Sequence, residues 1–372
     1  MNSLRQLQSR GQSIWLDFIR RSLITSGELD RLIDEDGLSG MTSNPTIFDK
    51  AISDTTDYDE SLRKILDEHP QIKTKDLYEA LAIEDIQMAA DALKPVFDRS
   101  GGVDGYVSLE VSPKLANDTD GTIAEAKRLC AAVDRRNLLI KVPGTQAGVP
   151  AFETLIAEGV NVNVTLMFSL RHYEDVAQAY IRGLKRCQQP QKAASVASFF
   201  VSRVDSYVDK ALEQQGSKEA LSLRGKIAVA NAKIAYQRFE EIFHGEAFQE
   251  LATRGARVQR PLWASTSTKN PEYRDVLYVE DLIGPETVNT LPPATLEAFR
   301  DHGKTAQTLT AGVDQARAQI GHLKNLGIDL QAITEQLQID GVAAFARSFD
   351  DLLDSLKKKR TSYSPAGPKS ST

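Results

Sequence analysis

The sequence predicts an α/β protein built as a (β/α)8 barrel, with extra helices that include a C-terminal group. Three observations favour this fold. Short runs of strand character alternate with stretches of helical periodicity, a pattern typical of parallel sheets with helical crossovers. Eight such runs occur along the chain, and eight β/α units close into a barrel. One side of the strands is aliphatic, whereas the other side carries polar residues near the carboxyl ends.

The first four strands are predicted in the N-terminal part of the chain. A long helical stretch over residues 49–101 separates the second strand from the third. The Asn-Pro pair after the second strand is a strong turn signal, because the residue before a proline avoids the α conformation. The four predicted strands are Ile14–Ile19, Leu38–Thr42, residues 105–112 (GYVSLEVS) and Leu138–Thr145 (LLIKVPGT).

Four further strands are predicted before residue 283, and right-handed crossovers would wind all eight in one direction. Helical periodicity over residues 295–357 indicates extra helices that dock on the barrel. We therefore expect one barrel domain over residues 1–357. Residues 358–372 lack apolar periodicity, so we expect them to form a disordered tail. The four further strands are residues 160–168, 193–201 and 260–266, and Val276–Leu282.

The composition argues against several classes of protein. A net charge of −6 argues against nucleic acid as a partner. Two cysteines, Cys130 and Cys187, are too few for a disulfide framework and fit a cytoplasmic location. No apolar run reaches the about 18 residues of a membrane span, and the N-terminus lacks the apolar core of a secretory signal. The histidines show no ligand spacing, so we expect no metal site. No Gly-rich phosphate loop of the nucleotide type appears either, and we expect no cofactor.

Polar side chains recur on the side of the strands that should face the barrel axis, towards the ends where such barrels build active sites. Lys141 is the most informative, because burying an ammonium is costly unless it is paired or loses its proton. A lysine that reaches from a strand end into solvent is the alternative. The convergence of several polar groups favours a functional site. The residues are Asp17, Glu110, Lys141, Asn163, Thr165, Ser198, Ser265 and Tyr278.

A lysine near carboxylates suits nucleophilic catalysis by an amine. The neutral amine forms a Schiff base with a carbonyl, and the resulting iminium accepts electrons when a carbon–carbon bond breaks. Asp17 and Glu110 would serve the proton transfers of such a reaction. Asp17 could instead form a purely structural ion pair with Lys141. Thr165 and Asn163 could likewise be satisfied polar residues of the barrel wall.

Two basic residues follow the ends of neighbouring strands. Arg203 comes after the sixth predicted strand and Lys269 after the seventh. Together with Ser267 they could hold a phosphate through charge-assisted hydrogen bonds. The alternative is that both are solvated surface charges.

Six motifs of this chain resemble the transaldolase family, and its length resembles the longer bacterial branch of that family. Together they cover the barrel from about residue 13 to residue 300. The motifs are MTSNPTIF around Asn44, SLEVSP around Glu110, LLIKVPGT around Lys141, NVNVTLMFS around Thr165, PLWASTSTKNP from Pro261 and GPETVNTLPPATLEAF from Gly284.

The resemblance implies a role for each site residue. It implies a Schiff base on Lys141, an acid/base relay through a catalytic water for Glu110 and Thr165, and proton handling at the sugar hydroxyls for Asp17. The residues implied to bind substrate are Asn44 and Ser198, on the dihydroxyacetone moiety, and Arg203, with Ser267 and Lys269 beside it, on the phosphate.

The chain departs from the family pattern at two places. The family usually has Ser-Phe-Arg-Asn after the seventh strand, whereas this chain has a lysine, Lys269, in place of the arginine. A lysine offers one compact ammonium where arginine offers a planar fork. The usual proline after the sixth-strand serine is Phe199 here. Phe200 matches the phenylalanine of transaldolases, whereas the related small aldolases have tyrosine.

The resemblance implies a transferase of the pentose phosphate pathway in carbohydrate metabolism, with sugar-phosphate substrates. It would move a dihydroxyacetone unit from sedoheptulose 7-phosphate to glyceraldehyde 3-phosphate. We expect a monomer or homodimer without nucleic-acid or membrane partners. The alternatives are an aldolase that releases free dihydroxyacetone, a catalytically silent barrel that binds sugar phosphates or a protein, and a metal-dependent isomerase.

Overall fold

Eight parallel strands form a closed barrel in which each strand pairs with its neighbours in the chain and the last strand pairs with the first. The computed structural model describes residues 2–363. The predicted (β/α)8 barrel is therefore confirmed. The strands are β1 (Gln12–Asp17), β2 (Gly40–Thr42), β3 (Tyr106–Glu110), β4 (Leu138–Pro143), β5 (Val162–Met167), β6 (Ser195–Phe200), β7 (Arg260–Ala264) and β8 (Thr287–Leu291).

The strands are buried on both faces, as expected for a parallel sheet covered by helices. Every residue of β4, β5 and β6 is buried. The register places Lys141 of β4 beside Glu110 of β3 and Asn163 of β5. Since residues in register on neighbouring parallel strands point to the same face, these three side chains belong to one cluster.

The prediction of the eighth strand at Val276–Leu282 is wrong. Residues of Val276–Leu282 form a short helix, α14, and the strand that closes the barrel lies at Thr287–Leu291. A short apolar run does not distinguish a strand from a buried helix segment. The true strand was missed because it carries buried polar residues, and the Thr287 hydroxyl donates to the Gly284 carbonyl at 2.6 Å. Tyr278 is consequently not an axial strand residue.

Seventeen α-helices surround the barrel within residues 2–363. Several begin at side-chain caps: for example, Asn44 accepts a hydrogen bond from the Ile47 amide, and Ser169 accepts one from the His172 amide. The helices are α1 (Ser3–Ser9), α2 (Arg21–Thr25), α3 (Glu28–Arg31), α4 (Pro45–Ser53), α5 (Asp59–Glu68), α6 (Thr74–Arg99), α7 (Thr119–Val133), α8 (Gly148–Ala157), α9 (Leu170–Arg186), α10 (Ser202–Gln215), α11 (Lys218–Leu221), α12 (Ile227–Phe243), α13 (Glu246–Thr253), α14 (Leu277–Glu280), α15 (Pro293–His302), α16 (Val313–Asn325) and α17 (Leu330–Tyr363).

The last helix, α17, packs on the barrel through a buried apolar stripe. It ends at Tyr363, so the helix includes residues 358–363, which the sequence assigns to the tail. Lys359 and Arg360 explain the extension, since both donate to backbone carbonyls, Lys359 to Ile52 and Arg360 to Ile72. The remainder of the predicted tail, 364–372, lies outside the described residues. None of the helices within residues 2–363 combines the length and the apolar character needed to cross a membrane.

Candidate active site

A cavity of about 220 Å³ opens at the carboxyl ends of the strands, the face where barrels of this kind place their active sites. Eight of the nine predicted site residues line it, and the ninth, Glu110, lies directly behind Lys141. The structure therefore brings the predicted residues together at one face of the barrel. The eight residues are Asp17, Asn44, Lys141, Thr165, Ser198, Arg203, Ser267 and Lys269.

The Lys141 amine is buried and paired. The residue is 5% exposed, and its Nζ donates to the carbonyl oxygen of Ser43 at 3.0 Å and to Oε2 of Glu110 at 3.3 Å. The alternative of a lysine reaching into solvent is therefore wrong. Burial raises the pKa of Glu110, and the positive charge of Lys141 opposes that rise. The carboxyl group is thus poised to exchange protons with the neighbouring amine.

Asp17 stands at the end of β1, on the same cavity. Its Oδ1 accepts a hydrogen bond from the Thr42 hydroxyl at 2.7 Å, and Thr42 is in turn 2.7 Å from the Thr290 hydroxyl. Burial raises the pKa of Asp17, although the charge of Lys141 lowers it in part. The salt bridge of Lys141 within the described chain is with Glu110. The structural ion pair with Asp17, considered as an alternative, is therefore not the arrangement found.

Three polar residues of β5 and β6 complete the inner wall. The Ser198 hydroxyl donates to Oδ1 of Asn163 at 2.7 Å, and Nδ2 of Asn163 donates to the Ser108 hydroxyl at 3.1 Å. Asn163 is thus a satisfied residue of the wall, as the alternative interpretation allowed. The Thr165 hydroxyl differs, because it is buried and has no hydrogen-bond partner among residues 2–363. An unsatisfied buried hydroxyl is costly, which makes it a candidate for contact with substrate or water.

Asn44 has a structural duty as well as a place on the cavity. Its Oδ1 caps α4 by accepting from the Ile47 amide at 3.0 Å, and Pro45 follows at the first helical position. Both features could have been predicted, because Asn is a preferred N-cap and Pro a preferred first residue. The cap fixes the Asn44 side chain at the cavity edge.

The two basic residues lie together on one side of the cavity. Arg203 is in the first turn of α10, and its guanidinium lies 5.6 Å from the centre of the Phe200 ring. The Lys269 ammonium donates to the Ser267 hydroxyl at 2.7 Å. Partial desolvation and the neighbouring charge of Arg203 lower the pKa of Lys269, although the residue as a whole is exposed. Two neighbouring cations repel each other, and an anionic ligand between them would relieve that repulsion. This part of the cavity therefore favours an anionic ligand.

Several contributors to the site were not predicted from the sequence. The Ser43 carbonyl contacts the amine through the backbone, and Thr42 and Thr290 support Asp17. Phe345 of α17 lines the cavity from outside the barrel. Ser265, predicted as a strand residue, follows β7 with a φ of 55° and still lines the cavity. A backbone contact and a distant helix leave no signal in a strand pattern.

Tyr278, predicted as an axial strand residue, does not line the active-site cavity. It lies on α14, where its hydroxyl donates to Oδ2 of Asp205 at 2.9 Å.

A larger cleft of about 630 Å³ opens at the opposite, amino-terminal face, far from the polar residues described above. Within residues 2–363, no group of three or more His, Cys, Asp or Glu side chains is arranged to hold a metal ion.

The fold and the site together define a barrel enzyme whose buried lysine amine is available for carbonyl chemistry. Residues 14–356 match the family model described as Transaldolase/Fructose-6-phosphate aldolase. The chain is 52% identical over 357 residues to the transaldolase of Thiobacillus denitrificans, which covers 95% of this chain and 99% of that protein. The chain belongs to the transaldolase/fructose-6-phosphate aldolase family.

Other relatives extend over nearly the whole chain. A protein named transaldolase 2 from a Nostoc species is 45% identical over 380 residues, covering 98% of this chain and 99% of that protein. Transaldolase 1 of Streptomyces avermitilis is 46% identical over 361 residues, covering 96% of this chain and 95% of that protein. The resemblance drawn from the six motifs is therefore confirmed.

Proposed function

We propose that the protein is a transaldolase that works through a Schiff base. It transfers a dihydroxyacetone unit from sedoheptulose 7-phosphate to glyceraldehyde 3-phosphate, giving erythrose 4-phosphate and fructose 6-phosphate in the pentose phosphate pathway. The observation that carries the proposal is the amine of Lys141, 5% exposed and 3.3 Å from the Glu110 carboxylate, on a cavity also lined by two basic residues. The proposal includes a cytoplasmic location and a monomer or homodimer.

In the proposed reaction the neutral Lys141 amine attacks the C2 carbonyl of the donor. Loss of water from the carbinolamine gives an iminium, and the C3–C4 bond then breaks as its electron pair moves to the nitrogen. An aldose leaves, and an enamine of dihydroxyacetone stays on the lysine. The enamine carbon next attacks the aldehyde carbon of the acceptor, and hydrolysis of the new iminium frees the amine.

The carboxylates would handle the protons of this sequence. Glu110 is close enough to take a proton from the Lys141 ammonium, and its raised pKa favours the neutral form it then reaches. The unpartnered Thr165 hydroxyl would position the water that leaves and re-enters. Asp17, with a pKa that burial also raises, would take and return the proton of the C4 hydroxyl as the C3–C4 bond breaks and forms.

The phosphate of each substrate would bind the basic side of the cavity. Arg203 supplies a guanidinium fork, and Lys269 supplies a single ammonium oriented by Ser267. Asn44 and Ser198 would contact the dihydroxyacetone hydroxyls. This division places the charged end of the sugar near solvent and the reacting carbons near Lys141.

The proposal is tested by reduction with borohydride in the presence of fructose 6-phosphate. We expect a covalent dihydroxyacetone adduct that peptide mapping places on Lys141, and we expect Lys141→Ala to lose both adduct and activity. The control is Lys114→Ala, which removes an exposed lysine paired with Asp350 and should leave both unchanged. An unmodified wild-type protein, or full activity in Lys141→Ala, would refute the Schiff-base proposal.

The same assay separates the proposed transfer from its rivals. Turnover of fructose 6-phosphate that requires erythrose 4-phosphate supports a transferase, whereas equal release of dihydroxyacetone without it indicates an aldolase. Substrate binding without an adduct would indicate a silent binding barrel. Loss of activity on treatment with a chelator would indicate a metal-dependent isomerase.

A further inference from the structure

The last helix brings one side chain into the active-site cavity. Phe345 of α17 lines the cavity, is 7% exposed, and has its ring centre 5.8 Å from Nζ of Lys141. Among the described residues that line the cavity, it alone comes from beyond Pro292. The barrel thus supplies every polar group of the site, and the appended helix supplies an apolar cover beside the amine.

Contacts on both sides of Phe345 fix this cover. Before it, Nε2 of Gln338 donates to the carbonyl oxygens of Gly144 and Leu166, each at 3.0 Å. Leu166 has a φ of 61°, a conformation that is unusual for leucine and sits at an irregular point of the β5–β6 pairing. After it, the Thr46 hydroxyl donates to the Ser348 hydroxyl at 2.9 Å. The helix therefore bridges β4 and β5 on one side of the site and α4 on the other.

A phenyl ring can neither donate nor accept the protons of the reaction, so it does not act as an acid or a base. Its π face lies within cation–π range of the Lys141 nitrogen, and its apolar bulk excludes water from the same place. The critical species is the enamine left on Lys141 after the aldose departs. In transfer, its carbon attacks the acceptor aldehyde. In release, that carbon takes a proton from solvent water instead, water then adds to the iminium carbon, and the carbon–nitrogen bond breaks to give free dihydroxyacetone and the amine. An active site that excludes water suppresses the second route.

We infer that Phe345 is a specificity-determining residue that selects an aldehyde acceptor over solvent by covering the enamine on Lys141. The inference rests on the proposed Schiff-base function and adds to it the reason for the appended helix. Thr165 and Glu110 lie on the barrel side of the amine and would still deliver the water of iminium hydrolysis. The ring blocks the delivery of a proton to the enamine carbon. It leaves open the route by which Thr165 and Glu110 deliver water to the iminium.

The test measures a ratio that does not depend on the amount of active enzyme. Fructose 6-phosphate and erythrose 4-phosphate are supplied together, and free dihydroxyacetone is compared with sedoheptulose 7-phosphate formed. We expect Phe345→Ala to raise the ratio of release to transfer on the order of tenfold. In D2O without acceptor, deuterium should enter C3 of the dihydroxyacetone unit faster by a similar factor.

The matched control is Leu352→Ala, which removes a fully buried side chain of the same helix that does not line the cavity. It should lower the melting temperature and leave the ratio unchanged. Phe345→Leu keeps an apolar cover and should fold even where the alanine variant does not, with a smaller rise in the ratio. A wild-type ratio in both Phe345 variants would overturn the inference. A wild type that forms no borohydride adduct would instead refute the proposed function itself.

Discussion

At the scale of single residues, the most informative side chain is one that the fold leaves unsatisfied. The Thr165 hydroxyl is buried without a partner in the described chain, although its neighbours Asn163 and Ser198 bond to each other. A buried hydroxyl without a hydrogen bond costs about 1–3 kcal/mol of stability. A protein keeps such a group at an active site when the reaction uses it, so stability and activity should respond to its removal in opposite directions.

We expect Thr165→Val to fold at least as stably as the wild type, because it removes the unsatisfied hydroxyl and preserves the shape. Its kcat should fall about 100-fold, the effect of losing a positioned proton-transfer group. Urea unfolding and a transaldolase assay measure the two effects. Thr287→Val is the control. The buried Thr287 hydroxyl donates to the Gly284 carbonyl at 2.6 Å and accepts from Nε2 of Gln12 at 3.0 Å, so this variant should lose about 2 kcal/mol and keep its activity. A destabilised but fully active Thr165→Val would contradict this view.

The polar residues of the site could be predicted because each stands near a strand end, and strand ends of a barrel converge. That logic located Lys141, Glu110 and Asp17 from sequence patterns alone. It could not supply the second partner of the amine besides Glu110, the Ser43 carbonyl, since backbone groups carry no residue-specific signal. It also could not find Phe345, whose helical stripe predicts docking but not the surface on which the helix docks.

At the scale of elements, buried carboxylates hold the connection that carries Ser267 and Lys269. Asp205 of α10 accepts from the Ala228 amide at 2.7 Å and from the Tyr278 hydroxyl of α14 at 2.9 Å. One turn later Asp209 accepts from the Tyr273 hydroxyl at 2.7 Å. Burial raises the pKa of Asp205 to about 7, mainly because desolvation disfavours its charged form. The protonation state of Asp205 therefore makes the stability of the folded protein depend on pH.

The direction of this pH effect follows from the two pKa values of Asp205. Its pKa is raised from 3.8 in the unfolded chain to about 7 in the folded protein. The protonated carboxyl thus favours the folded state, a contribution that is complete below pH 3.8 and is lost as the pH rises to about 7. The gap between the two values corresponds to about 4 kcal/mol.

Asp205→Asn, which cannot ionise, should be free of that loss. We expect its unfolding free energy to match the wild type near pH 4 and to exceed it by up to about 4 kcal/mol above pH 7. Denaturant unfolding across this range measures the difference. Asp351→Asn makes the same charge change at an exposed position of α17 and should show no such trend. Parallel curves for Asp205→Asn and wild type would show that Asp205 does not titrate in this window.

At the scale of the whole molecule, the barrel could be predicted because alternating strand and helix patterns admit few topologies. Seven of the eight strands lie where the sequence places them, to within a few residues at their ends. The eighth does not, because Thr287–Leu291 buries threonine and asparagine side chains against hydrogen-bond partners. A buried strand that carries several polar residues has the sequence pattern of a loop, whereas the apolar run before it has the pattern of a strand.

The chain between β2 and β3 is longer than one crossover needs, and a buried charge network ties it to the start of the barrel. Nε of Arg21 in α2 bonds to Oδ1 of Asp85 in α6 at 2.8 Å, and the Tyr58 hydroxyl bonds to the other oxygen at 2.5 Å. Arg21 is 8% exposed and Asp85 is fully buried. The Arg21 guanidinium also lies 5.0 Å from the centre of the Tyr58 ring. Three separate segments therefore meet at one ion pair.

Asp85→Ala should cost up to about 3–5 kcal/mol of global stability, because it removes the fully buried partner of the Arg21 guanidinium. Arg21 then keeps its ion pair with the half-exposed Glu84, at 2.6 Å. Equilibrium unfolding in urea measures the loss. Asp91→Ala on the same helix breaks an exposed pair with Arg135 and should cost less than about 1 kcal/mol. The triple change Arg21→Met, Asp85→Leu and Tyr58→Phe should recover most of the loss, because it removes both charges together with the hydroxyl that bonds to Asp85 and keeps the volume filled. Equal costs for Asp85→Ala and Asp91→Ala would mean that the network does not join the segments, and that apolar packing alone holds the helices between β2 and β3 on the barrel.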